Sequence, residues 1–158
     1  MRFERVSFDE FCKYFENENA AMLAYKNIRL PQRGTPGSAG YDFYLPMNYC
    51  FGSIPILIPT GIRVCLDPGY FLMCVPRSGL GFKYGLRLRN TTGIIDEDFI
   101  NGATEGHILA KISTEESVSL HVGDRFMQGI LLKYGLTDDD NPLNGARVGG
   151  IGSTGGIS

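Results

Sequence analysis

Histidine is scarce: the 158 residues hold two, His107 and His121. That excludes an HExxH pair and a zinc-deaminase signature, which need histidine at fixed spacing from other ligands. The four cysteines, Cys12, Cys50, Cys65 and Cys74, form no CxxC pair and no zinc-ribbon spacing. Cys65 and Cys74 stand in apolar runs, where a thiol behaves as a small buried hydrophobe. A basic excess is absent too. Lys and Arg total 15 against 17 Asp and Glu, a net charge of −2, so no nucleic-acid partner is expected. No stretch approaches ~18 uninterrupted apolar residues, and the opening Met1-Arg-Phe-Glu-Arg5 has no signal-peptide core, so no membrane partner is expected either. The cytoplasm is the expected compartment.

Turn-formers are what the chain has in plenty. Its 21 glycines are about 13% of the residues, against a typical ~7%. With 8 prolines they point to many short strands rather than long helices. Ser7 with Glu10 reads as a capping box, and Phe8, Phe11 and Phe15 follow at helical spacing. Asn17-Glu-Asn19 should end that helix. The period then changes to two. Ile54, Ile56 and Ile58 alternate, as do Ile62, Val64 and Leu66, and Val118, Leu120 and Val122. Tyr70–Val75 and Phe126–Leu132 are solid apolar runs. Pro59-Thr-Gly61, Asp67-Pro-Gly69 and Gly123-Asp124 separate these strands. Pro55 and Pro59 restrict their strand to an edge or a bulge. Regular short strands indicate a barrel, sandwich or jelly roll.

Five local features have chemical potential. Pro76-Arg-Ser-Gly-Leu-Gly81 offers hydroxyl, backbone N–H and guanidinium donors suited to phosphate oxygens. The glycine-rich tail from Gly149 to Gly156 can bring N–H groups close to an anion, but it lacks the lysine of a P-loop. Acidic residues at Asp42 and in Gly93-Ile-Ile-Asp-Glu-Asp98 suit magnesium or a water that attacks phosphorus. Gly123-Asp-Arg125 reads by itself as a turn with a surface charge pair.

Taken in order, the five segments resemble the motifs of the trimeric dUTPase family. They are Ala39-Gly-Tyr-Asp-Phe43, Pro76-Arg-Ser-Gly-Leu-Gly-Phe-Lys-Tyr-Gly85, Asn90-Thr-Thr-Gly-Ile-Ile-Asp-Glu-Asp-Phe99, Gly123-Asp-Arg-Phe-Met-Gln128 and Arg147-Val-Gly-Gly-Ile-Gly-Ser-Thr-Gly155. The resemblance implies an all-β jelly-roll barrel over residues 26–145, a helical extension over 1–25 and a flexible glycine-rich lid over 146–158. It implies a homotrimer that hydrolyses dUTP to dUMP and pyrophosphate with Mg2+.

By that likeness Asp96 orients and deprotonates the attacking water. Arg77, Ser78, Gly79 and Gln128 contact the phosphates. Asn90 and the backbone of Gly93, Ile94 and Ile95 bind uracil. Phe99 stands where the family has a Tyr on the deoxyribose. Asp42 acts behind the metal's waters or pairs with Arg125, and the phosphates themselves hold the metal. Arg147, Gly152, Ser153 and Thr154 meet the triphosphate from the tail. Ordering about eight tail residues costs ~1–2 kcal/mol each, while charge-assisted contacts return ~1.5–3 kcal/mol each. The tail is therefore expected to close only on the full triphosphate. The family's tail Phe is Ile151 here, and the segment Phe99–Gly106 is about four residues longer than usual. That insertion, Asn101–Thr104 included, or His107 is a candidate replacement cover for the base. The alternatives are a dCTP deaminase of the same fold, disfavoured because Lys111 stands in place of its catalytic Glu, and a regulatory or binding member of the family.

Overall fold

The computed structural model describes residues 1–142. In chain order the elements are β1 (Arg2–Arg5), α1 (Phe8–Cys12), α2 (Glu18–Lys26), β2 (Gln32–Arg33), β3 (Gly40–Tyr44), β4 (Tyr49–Phe51), β5 (Ile56–Pro59) and β6 (Ile62–Cys65). They continue with β7 (Tyr70–Pro76), α3 (Ser78–Tyr84), β8 (Arg87–Leu88), β9 (Gly93–Ile95), a 3-10 turn (Glu97–Asn101), β10 (Leu109–Ser113), β11 (Val118–Leu120) and β12 (Arg125–Lys133). The strands form four small antiparallel sheets: β1-β6, β5-β10-β8, β11-β4 and β2-β3-β12-β7-β9. This is an all-β jelly roll. Strand β5, which ends in Pro59, lies at a sheet edge, where the missing N–H does no harm.

One apolar core joins the sheets. Phe43, Leu45, Ile58, Leu72, Ile112 and Phe126 are fully buried in it. The N-terminal segment reaches the same core through Val6, Phe11, Ala24 and Ile28. That segment holds more than the single expected helix. Its strand β1 pairs with β6 from Arg2↔Cys65 to Arg5↔Ile62. Helix α1 stops at Cys12, so Phe15 lies beyond it and only Phe11 of the three phenylalanines is fully buried. Asn17 ends the first helical stretch but also caps a second, its side chain accepting from the N–H groups of Asn19 and Ala20.

The capping box is half realised. Ser7 Oγ accepts from Glu10 N at 3.1 Å. Glu10 does not return the bond to Ser7 N, which donates instead to Glu105 Oε2 at 2.9 Å. Glu10 has turned inward, 1% exposed, toward Lys13 at 2.6 Å, Tyr14 at 3.3 Å and the ring of His107. His107 is completely buried, so it covers no base; the expectation that it might is corrected here. Its Nε2 accepts from Gly61 N at 2.9 Å, which puts the proton on Nδ1, 3.5 Å from Glu10 Oε1.

Burial pushes the His107 imidazole down to about 4 from its usual 6.5. The unfolded chain therefore binds a proton that the folded one refuses. The neutral ring's stability is fully present above about pH 6.5 and is lost as pH falls toward 4. Between pH 7 and pH 5 the fold should lose about 2 kcal/mol through this group. Urea midpoints at the two pH values measure it, and His107→Gln should flatten the difference.

Among the described residues no helix is long and apolar enough to cross a membrane.

Candidate functional site

Strand β7 is the spine of the site, and its register sorts the candidate residues into two groups. At its C-terminal end Gln128 pairs with Val75 on one side and with Asp42 on the other. Along its middle, Gly93, Ile94 and Ile95 pair with Cys74, Met73 and Leu72. Leu72 and Cys74 point into the core, whereas Phe71, Met73 and Val75 face outward and are only half-buried.

The first group is an anion-receptive corner. Asp42 is 6% exposed because two guanidiniums cover it. Arg77 Nε lies 3.2 Å from one carboxylate oxygen, and Arg125 Nη1 donates to the other at 3.2 Å. Two cations on one anion leave surplus positive charge at this end of the sheet. Arg125 is thus no surface partner of Asp124, which accepts from His121 N instead. Gln128 lies on the same face, and Gly40 makes room for it: a methyl at residue 40 would sit 2.3 Å from Gln128 Oε1. Arg77 precedes α3, so Ser78 and Gly79 stand exposed in the first turn of a short helix where a plain turn was expected.

The second group encloses a cavity of about 180 Å3 lined by Cys74, Asn90, Gly93, Ile94, Ile95 and Phe99, with Met127 and Ile108 among the apolar residues behind. Its entrance turn is strained. Thr91, next to the lining residue Asn90, adopts φ +65°, which costs a non-glycine residue about 1–3 kcal/mol. Gly93 packs so closely on β7 that a methyl there would lie 3.1 Å from Cys74 Cβ. Burial pushes the Cys74 thiol up to about 12. Strand β9 is the last of its sheet, so one edge of its backbone faces away from β7.

Asp96 follows β9 and is exposed on the outer face, beside a hollow of about 270 Å3 that it lines with Phe71, Ile94 and Tyr134. The neighbouring Glu97 pins this segment, a role the sequence reading missed. Its Oε2 accepts from Gly69 N at 2.8 Å and from Tyr134 Oη at 3.2 Å. The only sequence signal was its place beside the candidate base.

The groups adjoin where Gln128 and Gly93 pair with the neighbouring Val75 and Cys74, but their far ends, Asp96 and Arg77, stand well apart in one chain. Asp96 lies level with Phe71, and Phe71 to Arg77 is six steps of ~3.3 Å, about 20 Å. This is a backbone separation, wide for the Asp96 and Arg77 side chains of one chain to share one phosphate by hydrogen bonds of about 3 Å. Among the described residues no cluster of three His, Cys, Asp or Glu side chains could hold a metal. Arg147, Gly152, Ser153 and Thr154, with Ile151 and the expected lid, lie outside the described residues.

Comparison with known proteins falls on the same segments. A family model described as dUTPase matches residues 26–155. A deoxyuridine 5'-triphosphate nucleotidohydrolase of Lactococcus lactis subsp. lactis is 38% identical over 138 residues, which cover 83% of this chain and 92% of that relative. The crystal structure of dUTPase from Streptococcus mutans superposes with a TM-score of 0.68 at 31% identity, covering 87% of this chain and 99% of that one. The dUTPase of phage phi11 of S. aureus, described with a structural Mg(II) ion, superposes with a TM-score of 0.62 at 18% identity, covering 77% of this chain and 94% of that one.

Proposed function

The chain belongs to the dUTPase family, and from that premise we propose how its residues divide the work. It hydrolyses dUTP to dUMP and pyrophosphate. The nucleoside enters the cavity under Phe99. Uracil presents acceptor, donor and acceptor in a row, which an edge strand's alternating N–H and C=O groups match and cytosine's row does not. Gly93, Ile94 and Ile95 supply that edge, with Asn90 at its entrance. Phe99 packs against the deoxyribose and leaves no room for a 2′-hydroxyl.

Asp96 orients a water in line with the α-phosphorus and takes its proton. An ordinary carboxylate is a weak base, so placement of the water contributes more than basicity. Arg77, Ser78, Gly79 and Gln128 hold the phosphates, and Arg147, Gly152, Ser153 and Thr154 close over them. Asp42 orients Arg77 and Arg125. Both of its oxygens already face guanidiniums, which supports this role over one behind a metal's waters. With no protein ligand cluster among the described residues, a magnesium ion would be held by the triphosphate oxygens and would supply charge neutralisation there.

The observation that carries the reading is the separation of about 20 Å along β7 between the water-positioning carboxylate and the phosphate corner. It calls for a second copy of the chain to complete each site. The outer face of the same sheet supports that assembly. Phe71, Met73 and Val75 of β7 and Ile130 and Leu132 of β12 are apolar and half-buried there, and Ile94 is 53% exposed. A strand apolar on both faces is one that expects cover on both. Three copies is the number that the family likeness gives.

Pyrophosphate release from dUTP, dCTP, dTTP and UTP with magnesium tests the reading. A site built on base hydrogen bonds and a closed sugar face should favour dUTP by about 10²–10⁴-fold. Ammonia release from dCTP, or equal cleavage of UTP, would overturn it.

A further inference from the structure

Residues 1–25 precede the segment that the family model matches, yet they grip the wall of the nucleoside cavity. We propose that helix α1 is a positioning element for that cavity: through Ser7 and Glu10 it holds Glu105 and His107, and through Gly106 between them it sets the place of Phe99. The proposal rests on the reading that Phe99 bounds the nucleoside site.

The chain from Asp96 to His107 is a strap of consecutive turns. Phe99 N donates to Asp96 O, Gly102 N to Phe99 O, Glu105 N to Gly102 O and His107 N to Thr104 O, at 2.9–3.2 Å. The far end of the strap folds back on the near end. A methyl on Gly106 would lie 2.6 Å from Ile100 Cα and 3.2 Å from Phe99 O, so these two backbones touch with nothing between them. Whatever fixes Gly106 therefore fixes Phe99.

Both neighbours of Gly106 meet the segment around α1, Glu105 by hydrogen bonds and His107 by packing. The Glu105 carboxylate accepts from Ser7 N at 2.9 Å and from Ser7 Oγ at 2.5 Å. His107 is wedged beside Glu10, with its ring 6.0 Å from that of Phe11 and 5.1 Å from that of Tyr14. Glu105 itself sits at φ +55°, a conformation that non-glycine residues hold only where their surroundings impose it. The Ser7 contacts restrain its side chain, together with Arg63 Nη1 at 3.8 Å, while its N–H is held by Gly102 O. Beyond His107 the chain runs straight into Ile108, Leu109 and Ala110, which line the same cavity. The brace thus holds both walls that the strap connects.

The test uses Ser7→Ala and Glu105→Gln in the full chain. Glu105→Gln leaves the helix cap intact, so it reads the brace even if Ser7→Ala weakens α1. Each should raise KM for dUTP by about five- to tenfold, the scale of one ordinary net hydrogen bond, with kcat within about twofold. The preference for dUTP over UTP should fall by a similar factor, because Phe99 sets the fit to the sugar. The double variant should be no worse than the stronger single, and Ser7→Thr, which keeps the hydroxyl, should restore KM. A fall in Tm with KM and the dUTP-to-UTP ratio unchanged would mean that the contact only stabilises the fold, and the proposal is overturned. Phe99→Ala separates the two layers. If it raises KM while the brace variants do not, only this inference fails; if it leaves KM unchanged, the reading of the cavity fails with it.

Discussion

Asp96→Asn should lower kcat for dUTP by about 10²–10⁴-fold, the range of a lost positioned base, while KM stays within about twofold. The amide keeps the shape of the carboxylate but cannot take a proton from water. Asp96 is exposed, and Asn has nearly the same size and shape. Steady-state kinetics with a pyrophosphate readout separate the two parameters. A KM that rises with kcat unchanged would make Asp96 a binding residue and remove the base from the mechanism.

Two dead variants should rescue each other. Arg77→Ala removes a phosphate contact, and Asp96→Asn removes the base. Each alone should show under about 1% of normal turnover, given losses of 10²-fold or more for such groups. Co-expressed with different tags and purified as mixed oligomers, they should recover activity. If each site takes Asp96 from one copy and Arg77 from another, random equal mixing leaves about a quarter of the sites with both intact, as a head-to-tail interface requires. Recovery near that level carries the split-site reading. No recovery in verified mixed oligomers would place both residues in a single-chain site, against the 20 Å that β7 puts between them.

The strands were legible where burial alternates or is continuous. Tyr70–Val75 became β7 and Phe126–Leu132 became β12, each extended by a residue or two at its ends. Shorter pieces were not. Arg2–Arg5 carries two arginines and a glutamate, and it is a strand only because β6 offers it a partner. Helix α3 begins at Ser78-Gly79, residues that read as a turn, and closes on Gly85 at φ +61°. Its helicity is decided by what surrounds it rather than by propensity.

The motif residues stand out in the sequence because their order along the chain is specific. What escaped was everything that depends on distance. The motif likeness offered Arg125 as a partner of Asp42, 83 positions on, but nothing in Asp42 announces that Arg77, 35 positions on, takes its other oxygen. Nothing in Glu105 announces Ser7, 98 residues earlier. His107, offered beside the insertion as a candidate cover for the base, is buried against α1 with its Nε2 accepting from Gly61 N. The register of β7 against β9 was invisible for the same reason, and with it the division of the site.

Cys74 has a bearing on covalent chemistry. It lines the nucleoside cavity, which makes it the natural anchor for an electrophilic nucleoside analogue. Its thiol ionises only near 12, so at neutral pH almost no thiolate is there to be alkylated. Warheads steered into the cavity would spare it, whereas Cys50, exposed on β4, is the sulfur that iodoacetamide or maleimide would label first.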